Sequence, residues 1–147
     1  MLPRWHIVLG FVFSILYWIL FPRTDLIYIV LIFLSSFLID FDHYLNALSK
    51  TGSVSLRKAF EYHKVLGEIE KYEQKKGIKR KSDFEIFHTF EFHLLVLLLS
   101  FVWIGFFYIF LGMLFHSIID IISMIYAGRL YSREFFLFNW ILRQFNF

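Results

Sequence analysis

The sequence contains no cysteine, and it has only two prolines and seven glycines among its 147 residues. The absence of cysteine excludes disulfide bridges and thiolate metal ligands. Charged residues are also scarce, at 18% of the chain, whereas 59% of the residues are hydrophobic and 21 are phenylalanine. A soluble domain of this size buries too small a fraction of its surface to cover so many apolar side chains. The composition therefore favours an integral membrane protein with one domain.

Four apolar runs predict an all-α, polytopic membrane protein with transmembrane helices at 5–21, 26–41, 85–104 and 106–127. The first run lacks a cleavage-site pattern, so we expect it to be retained as a helix that ends at Pro22. The stretch Phe84–Ala127 would measure about 65 Å as one helix, against roughly 30 Å of hydrocarbon. We therefore expect the chain to turn at Gly105. The alternative is a single span over 94–115, which leaves 118–127 without a role.

The polar segment 44–83 joins the second and third predicted helices and carries ten Lys and Arg against five Asp and Glu. Its apolar residues recur at helical spacing, which predicts an amphipathic helix on the membrane surface or docked on the bundle. The tail, 129–147, mixes arginines with aromatic residues and is typical of an interfacial helix. The positive-inside rule then places both termini and this segment in the cytoplasm. We expect no nucleic-acid partner, since four membrane segments explain the basic charge as topology.

The fourth apolar run carries a histidine and an aspartate four residues apart, His116 and Asp120. Residues at this spacing share one face of a helix. An ionisable residue at membrane depth is costly, and it indicates a functional site by default. The alternative is a polar pair that only forms hydrogen bonds between helices.

Ionisable residues of all four predicted spans fall in one layer near the cytoplasmic face, when depth is measured at about 1.5 Å per helical residue. Imidazoles and carboxylates without thiols suit zinc or another divalent first-row metal. The predicted metal ligands are His6, Asp40, Asp42, His43, His88, His93, His116 and Asp120. This number of ligands suits two or three ions. Asp42 and Glu91 are also candidates for proton transfer.

Helical geometry leaves some roles open. Asp40 and Asp42 would point about 160° apart on a continuous helix. Either the helix ends there or one aspartate orients a histidine instead of binding metal. Glu91 lies three residues after His88 and is a candidate ligand, general acid or helix-terminus charge.

The motifs that carry these residues are Trp5-His6, Asp40-Phe41-Asp42-His43, His88-Thr-Phe-Glu-Phe-His93 and Gly112-Met-Leu-Phe-His116-Ser-Ile-Ile-Asp120. Their order and spacing resemble the membrane-bound, metal-dependent hydrolases of the YdjM-like group. The third motif departs from that family, because Thr89, Phe90 and Phe92 stand where it has Arg, Gly and Thr. The site is also similar, more loosely, to zinc-dependent phospholipase C enzymes. The resemblance implies a metal-dependent hydrolase, with the substrate class left open by the missing arginine.

Together these observations predict a hydrolase of the cell membrane that cleaves a phosphoester of a lipid or lipid-linked substrate at the cytoplasmic leaflet. The nucleophile would be water activated by zinc or another divalent metal. One alternative is a divalent-ion or proton transporter, which the apolar outer halves of the spans disfavour. A cytochrome with two histidine haem ligands is disfavoured by the aspartates. The last alternative is a non-catalytic scaffold, which a fully filled metal coordination sphere would favour.

Overall fold

A computed structural model describes residues 3–145, and this part of the chain is helical and contains no strand. The helices are α1 (Pro3–Leu20), α2 (Leu26–Leu38), α3 (Phe41–Thr51), α4 (Leu56–Lys75), α5 (Phe90–Leu99), α6 (Gly105–Tyr126) and α7 (Leu137–Phe145), with short 3-10 helices at Ile86–His88 and Leu130–Ser132. The predicted all-α fold is confirmed.

Among the described residues, two helices are long and apolar enough to cross a membrane. One is α6, and the other is the run formed by α2 and α3 together, Leu26–Thr51. The other two apolar helices, α1 and α5, are shorter than these. Within the predicted span 85–104 only Phe90–Leu99 is α-helical, about 15 Å in length. Thr89 fixes the start of α5, because its hydroxyl accepts a hydrogen bond from the Phe92 amide.

The chain turns back between α5 and α6, where the sequence predicts a turn at Gly105. Backbone hydrogen bonds from Val102 and Trp103 to the Leu99 carbonyl form this turn. Gly105 is the first residue of α6 and is buried under the Trp103 indole. A β-carbon at Gly105 would lie 2.3 Å from that ring, so a larger residue here would have to displace the indole.

The backbone between α2 and α3 departs from helical geometry at Asp40, whose ψ is 0°. The Asp40 amide bonds to the Phe37 carbonyl, three residues back, as in a 3-10 turn. Because the helix is interrupted here, Asp40 and Asp42 are not held on the opposite faces that a continuous helix would give them. The second predicted helix, 26–41, ends close to this break, and α3 extends the helical run to Thr51.

Small residues bring α2 close to its two neighbours, α1 and α6. A β-carbon placed on Gly112 would lie 2.1 Å from the Ser35 hydroxyl and 2.3 Å from the Ile32 carbonyl oxygen. Gly10 of α1 faces Ser36 in the same way. Helices associate closely in membranes through such small residues. Ser35 and Ser36 are therefore packing residues.

The polar segment forms α4, which docks against the end of α6. The Gln74 side chain donates to the Ala127 carbonyl oxygen at 2.8 Å, and Arg129 pairs with Glu70 at 3.0 Å. Tyr62 donates its hydroxyl proton to Asp83 at 2.7 Å. Burial and this hydrogen bond raise the pKa of Tyr62 to about 12. Of the two predicted positions for this helix, the contacts show the one docked on the bundle.

Replacement of Gly112 with alanine tests the close approach of α2 and α6. We expect the Gly112→Ala protein to lose about 1–3 kcal/mol of stability, because the added methyl group meets the Ile32 backbone, which cannot rotate away. Thermal unfolding of the purified protein, followed by circular dichroism, measures the loss.

The matched control is Gly67→Ala in α4, where no atom lies within 4 Å of the added carbon. Alanine favours a helix over glycine by up to about 1 kcal/mol, so this variant should be no less stable than the wild type. Equal melting temperatures for Gly112→Ala and the wild type would contradict the packing described above.

Candidate metal centre

His116 lies where three helices meet, and it is fully buried. Its Nδ1 atom lies 2.8 Å from the backbone carbonyl oxygen of Ser36 in α2. Because a carbonyl oxygen only accepts hydrogen bonds, Nδ1 carries the proton and Nε2 keeps its lone pair in the neutral ring. A backbone partner of this kind typically fixes a metal-binding histidine. The local fold therefore orients His116 as a ligand.

His88 is oriented in the same way, by a carboxylate. Its Nδ1 atom donates to Asp42 Oδ2 at 3.0 Å, and the same oxygen accepts the Phe87 amide proton at 3.2 Å. The Nε2 atom of His88 then faces the Nε2 atom of His116 at 3.2 Å. Two lone pairs at this distance repel each other, so a proton or a metal cation must lie between the rings.

Asp40 completes a group of three ligands with these two histidines. Its Oδ1 atom lies 3.3 Å from His116 Nε2 and 3.7 Å from His88 Nε2. Ligand atoms on a tetrahedral zinc ion, with bonds of 2.0–2.1 Å, are about 3.3 Å apart. The three measured separations are close to this value, so the group can bind one such ion with a position left open.

A second group consists of His6, His116 and Asp120. His6 Nε2 lies 3.2 Å from Asp120 Oδ1, and His116 Nε2 lies 3.7 Å from Asp120 Oδ2. The His6 ring also stacks on the His116 ring, with centroids 4.0 Å apart. Within residues 3–145 these two groups are the ones that could hold a metal ion, and both use His116.

Five of the eight predicted ligands therefore belong to these groups, contributed by α1, the α2–α3 break, the 3-10 turn before α5, and α6. They are His6, Asp40, His88, His116 and Asp120. The sequence depths predicted this convergence of separate elements on one layer, and the structure brings these residues together.

The other three predicted ligands have different positions. Asp42 orients His88, which is one of the two roles that the sequence left open for this pair of aspartates. His43 contacts Asp40 Oδ1 at 3.4 Å through its Nε2 atom and lies at the edge of the site. The His93 ring forms two hydrogen bonds, one between Nε2 and the Ser117 hydroxyl at 3.0 Å and one between Nδ1 and the Thr89 carbonyl oxygen at 2.9 Å. None of the three belongs to a ligand group among the described residues.

Glu91 belongs to neither ligand group among the described residues. The sequence left three roles open for it: metal ligand, proton carrier or helix-terminus charge. Its carboxylate accepts the Leu137 amide proton at 3.0 Å, at the first residue of α7. An acidic side chain at a helix N-terminus stabilises the unpaired amides there. The geometry thus favours the third of these roles, with α7 as the helix concerned.

Two buried residues that the sequence analysis did not select belong to the centre. Arg133 contacts both Glu85 Oε2, at 2.7 Å, and Asp120 Oδ2, at 3.0 Å, through one nitrogen, Nη2. The other carboxylate oxygen of Glu85 lies 3.3 Å from His43 Nδ1. Glu85 could have been noticed from its position three residues before His88. No local pattern marks Arg133, because it enters the site from the tail.

The centre lies between a polar cavity and an apolar cavity. The polar one measures about 240 Å³ and is lined by residues that include His43, Glu85, Asp120 and Arg133. The apolar one measures about 410 Å³, lies between α5 and α6, and has His88 in its wall. A molecule with a polar head and a hydrocarbon tail could contact both while its junction lies near the ligands.

Substitution of single ligands tests the centre directly. We expect the wild-type protein to retain a divalent metal through purification, and Asp40→Asn or His116→Ala to lose most of it, because each removes one of three ligands. Elemental mass spectrometry gives the metal per chain. Asp42→Asn should bind metal roughly 10–100-fold more weakly, since it perturbs the partner of His88 and not a ligand.

His93→Gln is the matched control, because this histidine is buried like His88 but hydrogen bonds to Ser117 and Thr89. It should keep the wild-type metal content. Loss of metal in His93→Gln together with full retention in His116→Ala would show that the ligands are not those described here.

No family model, no curated protein and no solved structure matches the chain. The likeness to membrane-bound hydrolases therefore stays a prediction from motifs, and function has to be inferred from the geometry of the centre.

Proposed function

We propose that this protein is a membrane-embedded, metal-dependent hydrolase that cleaves a phosphoester of a lipid or lipid-linked substrate. The observation that carries the proposal is the group of Asp40, His88 and His116, which offers three ligands for a divalent ion beside the two cavities. A donor set of imidazole and carboxylate suits zinc. When bound, a divalent ion supplies an activated water nucleophile at neutral pH and stabilises negative charge on the phosphoryl oxygens.

The chemistry of the buried atoms supports a bound cation. Asp42 Oδ1 is buried and has no hydrogen-bond partner among the described residues. Asp120 and Glu85 are buried close by. Carboxylates in such surroundings are costly unless cations compensate their charge. The residues present therefore fit a divalent ion better than they fit an apolar bundle core.

The two cavities favour an amphiphilic substrate. Phe136, Leu94 and Leu114 are among the hydrophobic side chains that line the apolar cavity, and they are partly exposed at the protein surface. An acyl chain from the membrane can enter there without crossing water. The polar cavity offers Arg133 and His43 to a phosphate-containing head group. The ester linkage would then lie near His88, the residue that borders the apolar cavity and belongs to the ligand group.

His43 is the best-placed proton carrier. It borders the polar cavity, and its two ring nitrogens contact Asp40 and Glu85 at 3.4 and 3.3 Å. The His63 ring contacts the His43 backbone carbonyl at 2.8 Å and borders the same cavity. A histidine between two carboxylates and open space can move a proton to or from a leaving group. This role takes the place of the one predicted for Asp42 and Glu91.

We place the protein in the cell membrane as a multi-pass protein, with both termini and α4 in the cytoplasm. Tyr17, Tyr28 and Tyr108 cluster at the end of the bundle opposite the centre, where Tyr28 and Tyr108 stack with centroids 4.4 Å apart. Trp18 and Trp103 are partly exposed at the same end. Tyrosine and tryptophan are enriched at membrane interfaces, whereas Lys and Arg accumulate on the cytoplasmic side.

Lipid hydrolysis tests the catalytic proposal. Purified protein in mixed micelles, given a panel of phospholipids and lipid phosphates, should release a phosphorylated head group or phosphate, detected by mass spectrometry. Chelation should abolish release, and zinc should restore it. We expect His43→Gln to lower kcat about 10²–10⁴-fold while keeping the metal, because it removes only the proton carrier.

Metal binding without release of product from any member of the panel would favour the scaffold alternative. Metal uptake into sealed vesicles under the same conditions would favour transport. These outcomes separate the three functions, because only a hydrolase couples loss of metal to loss of product.

Reporter fusions test the orientation. A green fluorescent protein fused after Phe147 should fluoresce in bacterial cells, and alkaline phosphatase at the same point should be inactive, since the C-terminus is placed in the cytoplasm. Phosphatase fused after Thr24, in the turn between α1 and α2, should be active. The reverse pattern at the two positions would overturn the proposed topology.

A further inference from the structure

The two ligand groups cannot both be filled as they stand, because they share His116. Its Nδ1 proton bonds to the Ser36 carbonyl oxygen, which leaves Nε2 as the only lone pair for a metal. One lone pair binds one ion. Nε2 lies closer to Asp40 Oδ1, at 3.3 Å, than to Asp120 Oδ2, at 3.7 Å. An ion bound with Asp40 and His88 therefore takes His116 away from the second group.

Arg133 already fills the space beside the remaining ligands. Its Nη2 atom lies within 3.0 Å of Asp120 and within 2.7 Å of Glu85, so one nitrogen joins two carboxylates as a bridging metal ion would. The side chain is buried at 9% exposure. Guanidinium keeps its charge at any physiological pH and matches carboxylate geometry. A divalent ion added at Asp120 would have to compete with this fixed positive charge.

The position of Arg133 is built into the fold. Its backbone carbonyl oxygen accepts from the Lys81 ammonium group at 2.8 Å. The neighbouring Ser132 carbonyl oxygen accepts the Ser82 amide proton, also at 2.8 Å. Residues 132–133, which enter the site from the tail, are thus hydrogen-bonded to residues 81–82, which precede Glu85. Both partners of the ion pair between Arg133 and Glu85 are positioned by the same contacts.

From these contacts we infer that Arg133 takes the place of a second metal ion. The centre then holds one divalent ion, at Asp40, His88 and His116, and uses the guanidinium group as its second cation. This inference rests on the proposed function. It also narrows the chemical class of the substrate to one with a phosphoryl group. Arg133 borders the polar cavity and can contact two oxygens of such a group. The phosphoryl group would bind between the ion and Arg133, with both cations stabilising its developing negative charge.

Metal stoichiometry tests the inference. Zinc-loaded protein, passed through a desalting column and analysed by elemental mass spectrometry, should contain about one zinc per chain in the wild type. Arg133→Gln should contain about two, because the guanidinium group that competes with a metal ion beside Asp120 and Glu85 is removed. Adding Asp120→Asn to this variant should return the content to one. The matched control is Arg129→Gln, whose arginine pairs with Glu70 instead, and it should contain one zinc.

Each other outcome has a distinct meaning. Two zinc ions in the wild type would overturn the role of Arg133 and leave the proposed hydrolase standing. One zinc in both the wild type and a folded Arg133→Gln would show that Arg133 is only a structural ion-pair partner, and would also overturn it. Absence of zinc from the wild type would overturn both proposals. If Arg133→Gln does not fold, the wild-type stoichiometry still decides between one ion and two.

Discussion

The close contact between α2 and α6 is the constraint on which the centre depends. Gly112 allows α6 to lie against the Ile32 backbone, and one helical turn later His116 reaches the Ser36 carbonyl oxygen. That hydrogen bond fixes the ring and directs its Nε2 atom towards His88 and Asp40. A residue with a side chain at position 112 would push the two helices apart and lengthen the same hydrogen bond. Packing and ligand geometry are therefore two consequences of one helix contact.

The sequence predicts a large part of this arrangement, because apolar runs and residue depth both follow from helical geometry. The all-α fold, the turn before α6 and the meeting of His6, Asp40, His88, His116 and Asp120 need only the rise of about 1.5 Å per residue. The sequence left open whether the second helix ends at Asp40. Charge at Asp40 suggested an end there, but the backbone makes a single 3-10 turn and continues as α3. One local irregularity inside an apolar helix has no sequence signature strong enough to reveal it.

The roles of the individual ligands could not be predicted in the same way. Whether Asp42 binds a metal or a histidine depends on its hydrogen bond with His88, which lies 46 residues away in the chain. Arg133 reaches Asp120 because Lys81 and the backbone beside it hold the tail in place. Both contacts join separate elements of the chain. Neither follows a short, regular spacing in the sequence from which it could be predicted. Counting candidate residues therefore overestimates the number of ligands, because some carboxylates and imidazoles position others.

The distribution of polar and aromatic residues around the centre bears on the choice between ion transport and a reaction on a bound molecule. A transporter needs a polar route to both faces of the membrane. Between His116 and the turn before α6, aromatic rings stack between the helices instead, Phe13 on Phe115 and Tyr28 on Tyr108. Polar residues open instead towards one cavity, on the side of α4. The polar cavity on this side and the apolar cavity between α5 and α6 support the proposed reaction on a bound amphiphile. Under that proposal the guanidinium group of Arg133, held by Glu85 and Asp120, would stay in place for each substrate and would not need to be released and recaptured.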